Sequence, residues 1–227
     1  METRNQRIRK LKKAQLVALA TKRCIHGHLY LEHFSCAEKE GVLQEPPPER
    51  IGFLDIETSN LAADFGIMLS YAIKEEGGKI YADYITPKEL ESKGQDKRLV
   101  RECISVMEKF DRLVGFYSAR FDMPYIRSRA MAHDLHYPAQ GEIKHTDLWF
   151  QARSKLRLHR NRLQTVCDFL EIPSKQHKLD GPQWIKALTG RKSALKHIFE
   201  HNKEDVISLE EAYHELRPYF KLTNTTL

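Results

Sequence analysis

Residues 52–59 read G-F-L-D-I-E-T-S, and the fold follows from how that stretch is placed. Phe53, Leu54 and Ile56 make a short apolar run with two carboxylates, Asp55 and Glu57, set into it. In a strand, alternate residues share a face, so Asp55 and Glu57 point to one side while Leu54 and Ile56 point into a core. Two like charges held together cost stability unless a cation neutralises them.

The chain has 227 residues, 41% apolar and 30% charged, enough for one full core plus a small appendage. No apolar run approaches a membrane span, and the basic N-terminus lacks the apolar segment of a secretory signal. The expectation is therefore a cytoplasmic protein with no membrane partner. Four cysteines in a chain of this size do not make a disulfide framework. A net charge of +6 and a pI near 9.0 suit a polyanionic partner such as nucleic acid.

Outward from the opening stretch, residues 4–22 read as one basic amphipathic helix, with Ile8, Leu11, Leu16 and Leu19 on its apolar side. C-I-H-G-H-L-Y-L-E-H-F-S-C follows at 24–36. There Cys24 with His28 and His33 with Cys36 form two ligand pairs suited to a structural zinc ion, His26 being able to replace His28. Pro46, Pro47 and Pro48 interrupt any helix. The expected organisation is a basic helix plus Cys/His cluster over 1–45, a linker over 46–50, a main domain over 51–220 and a tail over 221–227.

Within the main domain, 67–74 and 79–85 read as strands joined at Gly77-Gly78. A helix starting at Asp96 leads to a short strand over 113–117. Asp122 then precedes Pro124 in the first turn of another helix, a position proline tolerates. Residues 143–147 are a further strand ending at Asp147, followed by a basic run with Arg153, Lys155, Arg157, Arg160 and Arg162. Asn161 is the expected cap of the next helix. In the last long helix, from Ser193 to about Leu216, His201 and Asp205 are four apart and share a face bordering the apolar stripe. Asp55, Glu57, Asp122 and Asp205 together suit two hard divalent cations, magnesium or manganese.

F-L-D-I-E-T-S at 53–59, V-G-F-Y-S-A-R-F-D-M-P-Y-I at 114–126 and E-H-N-K-E-D-V-I-S-L at 200–209 resemble the three motifs of DEDD-type 3′–5′ exonucleases. That family lies in the ribonuclease H-like superfamily, and the likeness is to the members related to the proofreading domain of family B polymerases. It spans roughly 51–220 and includes H-T-D-L-W at 145–149.

The resemblance implies an α/β fold, a mixed sheet of about five strands flanked by helices, and two-metal hydrolysis releasing nucleotides from a 3′ end of single-stranded DNA or RNA. It also implies that Asp55, Glu57 and Asp205 hold the metal that activates water, that Asp55 bridges to a second ion held by Asp122, and that His201 orients or deprotonates the water. Thr58, Phe65, Ser118, Lys175 and Lys178 are the expected substrate contacts. Two departures stand out. The family has Tyr-x3-Asp or His-x4-Asp, whereas this chain has His-x3-Asp, and Ser118 replaces a common asparagine. A scaffold that kept nucleic-acid binding but lost catalysis is the alternative.

Overall fold

The computed structural model describes residues 3–9, 11, 13–44, 48–173, 177 and 179–227. Strand β1 (Ile51–Thr58) has six of its eight residues buried, as a central strand covered on both faces must. It pairs antiparallel with β2 (Met68–Glu75), which pairs antiparallel with β3 (Ile80–Tyr84) across a turn where Gly77 adopts φ +62°. On its other side β1 runs parallel to β4 (Arg112–Gly115), and β4 parallel to β5 (Lys144–Asp147). The order β3-β2-β1-β4-β5 is the expected five-stranded mixed sheet. Because β1, β4 and β5 are parallel, their carboxyl ends reach the same edge, where open α/β sheets place their ligands.

Two units divide at Pro48 and Glu49. The first holds α1 (Arg4–Arg9), α2 (Lys13–Thr21) and α3 (Phe34–Lys39), with Leu19, Tyr30, Phe34 and Ala37 in its small core. The single helix expected over 4–22 is thus two, and α1 closes on an i→i−3 bond from Leu11 N to Ile8 O. Pro46 and Pro47 of the expected linker lie outside the described residues.

The second unit adds α4 (Pro87–Leu90), α5 (Lys97–Met107), α6 (Asp122–Ala132), α7 (Leu148–Lys155), α8 (Leu163–Phe169), α9 (Gly181–Leu188) and α10 (Lys192–Leu216). One core joins Leu54, Ile56 and Leu113 to α5 and α6. The other joins Phe53 and Val114 to α7, α8 and the second half of α10. Residues 225–227 lie along β5, with His145 N donating to Thr225 O (2.7 Å) and Leu227 N to Ile143 O (3.1 Å).

Two capping expectations differ. Asp96 stands at the start of α5 but makes no cap bond. Its carboxylate instead accepts from Met68 N (2.7 Å) and from Arg129 Nε and Nη2 (2.9 and 2.6 Å), while Arg129 Nη1 reaches Ala63 O (3.1 Å). Buried, it is worth more paired with a guanidinium than with a helix end, and the arrangement pins the loop after β1. Asn161 does not cap α8 either, whose N-cap is Arg162; the Asn161 carbonyl accepts from Trp149 Nε1 (3.0 Å).

Candidate functional site

Asp55 and Glu57 stand on the β1 face that carries Ile51 and Phe53, opposite Leu54 and Ile56, as alternation requires. Asp122 opens α6 just beyond the end of β4, and its Oδ1 accepts from Ile56 N at 3.1 Å, between the two β1 acids. Burial above all, and next the negative charge of Asp55, push the Asp122 carboxyl well above the usual carboxylate range; the Ile56 N–H opposes this. A cation would reverse that balance.

The last two groups come from α10. Its first half carries Leu195 and Ile198 into one core and its second half carries Val206 and Leu209 into the other. The polar residues 201–205 fall between. Asn202, fully buried, donates from Nδ2 to Asp55 Oδ2 (2.6 Å) and accepts from Ser70 Oγ at its own Oδ1 (3.0 Å). His201 Nε2 lies 3.0 Å from Asp205 Oδ2 and 3.8 Å from Glu57 Oε1.

His201 Nδ1 donates to the carbonyl of His177 at 2.5 Å. A carbonyl only accepts, so Nδ1 carries the proton and Nε2 is the atom turned to the acids. Glu204 holds His177 in turn, accepting from its N (3.0 Å) and bonding its Nδ1 (2.7 Å).

Glu57, His201 and Asp205 thus offer donors all within 4.8 Å of one another. The Glu57 and Asp205 oxygens can share one divalent ion, since neighbouring ligands about 2.1 Å from an octahedral ion lie about 3 Å apart, and His201 Nε2 stands beside them. Asp55 and Asp122 adjoin it through Asn202 and Ile56. Glu57 and Asp205 lie together with His201, and Asp122 stands near enough to Asp55 to feel its charge.

The expected substrate contacts divide. Phe65 is 84% exposed on the loop pinned by Arg129, whereas Met68 and Leu69 beyond it are core. Thr58 is buried at the end of β1, its Oγ1 donating to Asn60 O (3.0 Å). Ser118 is corrected: its side chain is fully buried and bonded to His145 Nε2 at 2.9 Å, so it does not face a passing strand. It fits only because residue 115 is glycine, where a Cβ would stand 2.2 Å from Ser118 Oγ. Lys175 and Lys178 lie outside the described residues.

At the same sheet edge, Asp147 Oδ1 and Oδ2 accept from Tyr117 N (2.8 Å) and Ala119 N (3.0 Å), and Oδ1 also from Trp149 N (3.0 Å). This holds Tyr117 at φ +66°, an unusual backbone for an aromatic residue, beside Trp149 with ring centroids 5.1 Å apart. Arg153 stacks over Trp149 and Arg120 over Phe150. Arg157, Arg160 and Arg162 continue the exposed basic surface.

Sequence reading missed Ser70, His177, Asn202 and Glu204. Asn202 carried a signal: it falls in the helical stripe Ile198, Asn202, Asp205, Leu209, a buried polar position that must have a partner. Ser70 and His177 carried none, because only the fold brings them there.

In the N-terminal unit a second donor cluster forms from Cys24, His26, His33 and Cys36. The expected set named His28; the structure puts His26 there instead. The turn at 24–27, closed by Gly27 N to Cys24 O (2.8 Å) with Gly27 at φ +80°, folds His26 back over Cys24. His28 precedes Leu29, which pairs with Arg23 in an antiparallel bridge; the His28 carbonyl accepts from Cys24 N (2.9 Å) and its side chain is exposed.

A family model described as RNase_H superfamily, RNase_H_2, matches residues 52–217. The fold is similar to that of the family B DNA polymerase from the hyperthermophilic archaeon Pyrobaculum calidifontis, with a TM-score of 0.61 and 19% identity over 77% of this chain. The match covers 25% of the polymerase chain, so this protein corresponds to about a quarter of its length. No curated protein sequence matches.

Proposed function

The chain belongs to the RNase H superfamily, and from that premise we propose that it is a metal-dependent 3′–5′ exonuclease acting on single-stranded DNA or RNA. Membership of the superfamily supports nuclease-type chemistry on nucleic acid. The observation that carries the finer reading is the convergence of Asp55, Glu57, Asp122, His201 and Asp205, from three distant segments, at the carboxyl edge of the parallel strands.

Magnesium or manganese, if bound there, would supply an activated water and neutralise the leaving oxygen of a phosphodiester. Asp55, Glu57, Asp122 and Asp205 would hold such ions. Asn202 fixes the Asp55 carboxylate and Asp122 stays braced on the β1 backbone. With Asp205 turned to a metal, His201, whose Nδ1 donates to the His177 carbonyl, would present Nε2 as the group that orients water and takes its proton. The Tyr117–Trp149–Phe150 aromatics with Arg120 and Arg153 offer stacking and phosphate contacts for a single strand, and Phe65 a wedge near its end.

The His-x3-Asp spacing favours a second reading, a nucleic-acid-binding module without turnover. Purified protein incubated with single strands labelled at either end, with magnesium or manganese, separates the two. Stepwise loss from the 3′ end that Asp55→Ala abolishes, with folding intact, is the expected result. Equal activity in Asp55→Ala defeats the exonuclease reading, and tight binding without cleavage in the wild type establishes the second.

A further inference from the structure

The Cys24–His26–His33–Cys36 cluster lies outside the matched residues 52–217 and has no part in the proposed hydrolysis. Its four cross distances are nearly equal. Cys24 Sγ lies 3.8 Å from His26 Nδ1 and 3.4 Å from His33 Nδ1; Cys36 Sγ lies 3.5 Å from each. A tetrahedral zinc ion with Zn–S of about 2.3 Å and Zn–N of about 2.0–2.1 Å requires S···N separations of about 3.6 Å. Four separations grouped around that value, alternating sulfur and nitrogen, describe the corners of one coordination sphere.

Local structure delivers the ligands in two pairs. The 24–27 turn supplies Cys24 and His26, two residues apart. His33 stands at the N-cap of α3 and Cys36 one turn on, three residues apart and therefore on one side of the helix start. Both thiols are free and buried. Two cysteines are also among the six buried core residues of this unit that lie within the described residues, Leu19, Cys24, Tyr30, Phe34, Cys36 and Ala37. A core that small needs a staple to hold a fold, and two thiolates with two imidazoles in tetrahedral array select zinc among common divalent metals.

We infer that one structural zinc ion is bound by Cys24 Sγ, His26 Nδ1, His33 Nδ1 and Cys36 Sγ, and that it holds the N-terminal unit together. All four protein ligands are supplied, so the site is closed and structural, without an open position for substrate. His28 is not a ligand.

The test uses the full chain, purified without chelator. Elemental analysis is expected to find one zinc per chain, X-ray absorption two sulfur and two nitrogen ligands, and nitrogen-15 spectra a proton on Nε2 of both His26 and His33. Cobalt substituted for zinc gives a thiolate-to-metal charge-transfer band, which the acidic cluster of the main domain cannot produce. The Cys24→Ser and His26→Ala variants lose the metal, whereas His28→Ala and Asp205→Asn keep it.

Failure of the reduced wild type to take up zinc overturns the inference even where a variant fails to fold, as does iron in its place. Loss in His28→Ala with retention in His26→Ala overturns the ligand set.

Discussion

Asn202→Ala removes the residue that ties α10 to the first acid of β1. The bond from Nδ2 of the fully buried Asn202 to the half-buried Asp55 Oδ2 is 2.6 Å long and charge-assisted. Such a bond contributes about 1.5–3 kcal/mol, and stranding the buried Ser70 hydroxyl adds about 1 kcal/mol. The expected loss is about 3 kcal/mol, which for a domain of this size lowers Tm by roughly 6–12 °C. Release of the carboxylate also weakens manganese binding by about 10- to 100-fold, as removal of a residue orienting a metal ligand does.

Thermal unfolding with and without manganese, together with calorimetric titration of the metal, measures both effects. Adding Ser70→Ala to the variant should cost less than the two separate effects summed, because the hydroxyl then has no partner to lose. A Tm within about 2 °C of wild type, with unchanged manganese affinity, would refute the reasoning.

His145 is buried beside Arg112, and burial first and that charge second push its pKa down to about 4. The folded protein therefore resists a proton that the unfolded chain accepts near the ordinary value. Stability is intact above about pH 6.5 and falls towards pH 4, by about 3 kcal/mol from this group; denaturant titrations of wild type and His145→Gln should show the variant's acid limb flatter by that amount. Asp122 has the opposite sign: its raised pKa means that metal-free protein loses stability as pH rises through that value. Asp122→Asn is thus expected to stabilise the metal-free protein near neutral pH by on the order of 1 kcal/mol, to abolish cleavage, and to lose the Tm gain that manganese confers; a less stable metal-free variant would contradict this.

Local pattern carried much of the fold. Alternation in β1, the Gly77 turn and the 3.6-residue stripe of α10 are short-range properties, so the strands and the long helix were readable from neighbours alone. Asp55, Glu57 and Asp205 were legible for the same reason: charge set in apolar periodicity has few explanations. Asp96 and Asn161 were misread because capping competes with distant partners. Arg129 claims the Asp96 carboxylate, and Trp149 claims the Asn161 carbonyl that a cap reading ignores.

His26 against His28 was decided by the handedness of one turn at Gly27, a choice that spacing leaves open. Ser118 was taken for a surface contact, and the close approach that Gly115 permits buries it instead. By itself the amino-acid order determined which residues carry charge into apolar segments, and hence the sheet, the helices and the acids of the site. Only tertiary structure decided that Asn202 braces Asp55, that Glu204 and His177 set the His201 tautomer, and that two thiols face two imidazoles at zinc spacing. Those contacts join residues whose separation along the chain says nothing of their separation in space, and parallel strands ending at one edge supply the geometry that brings the acids together.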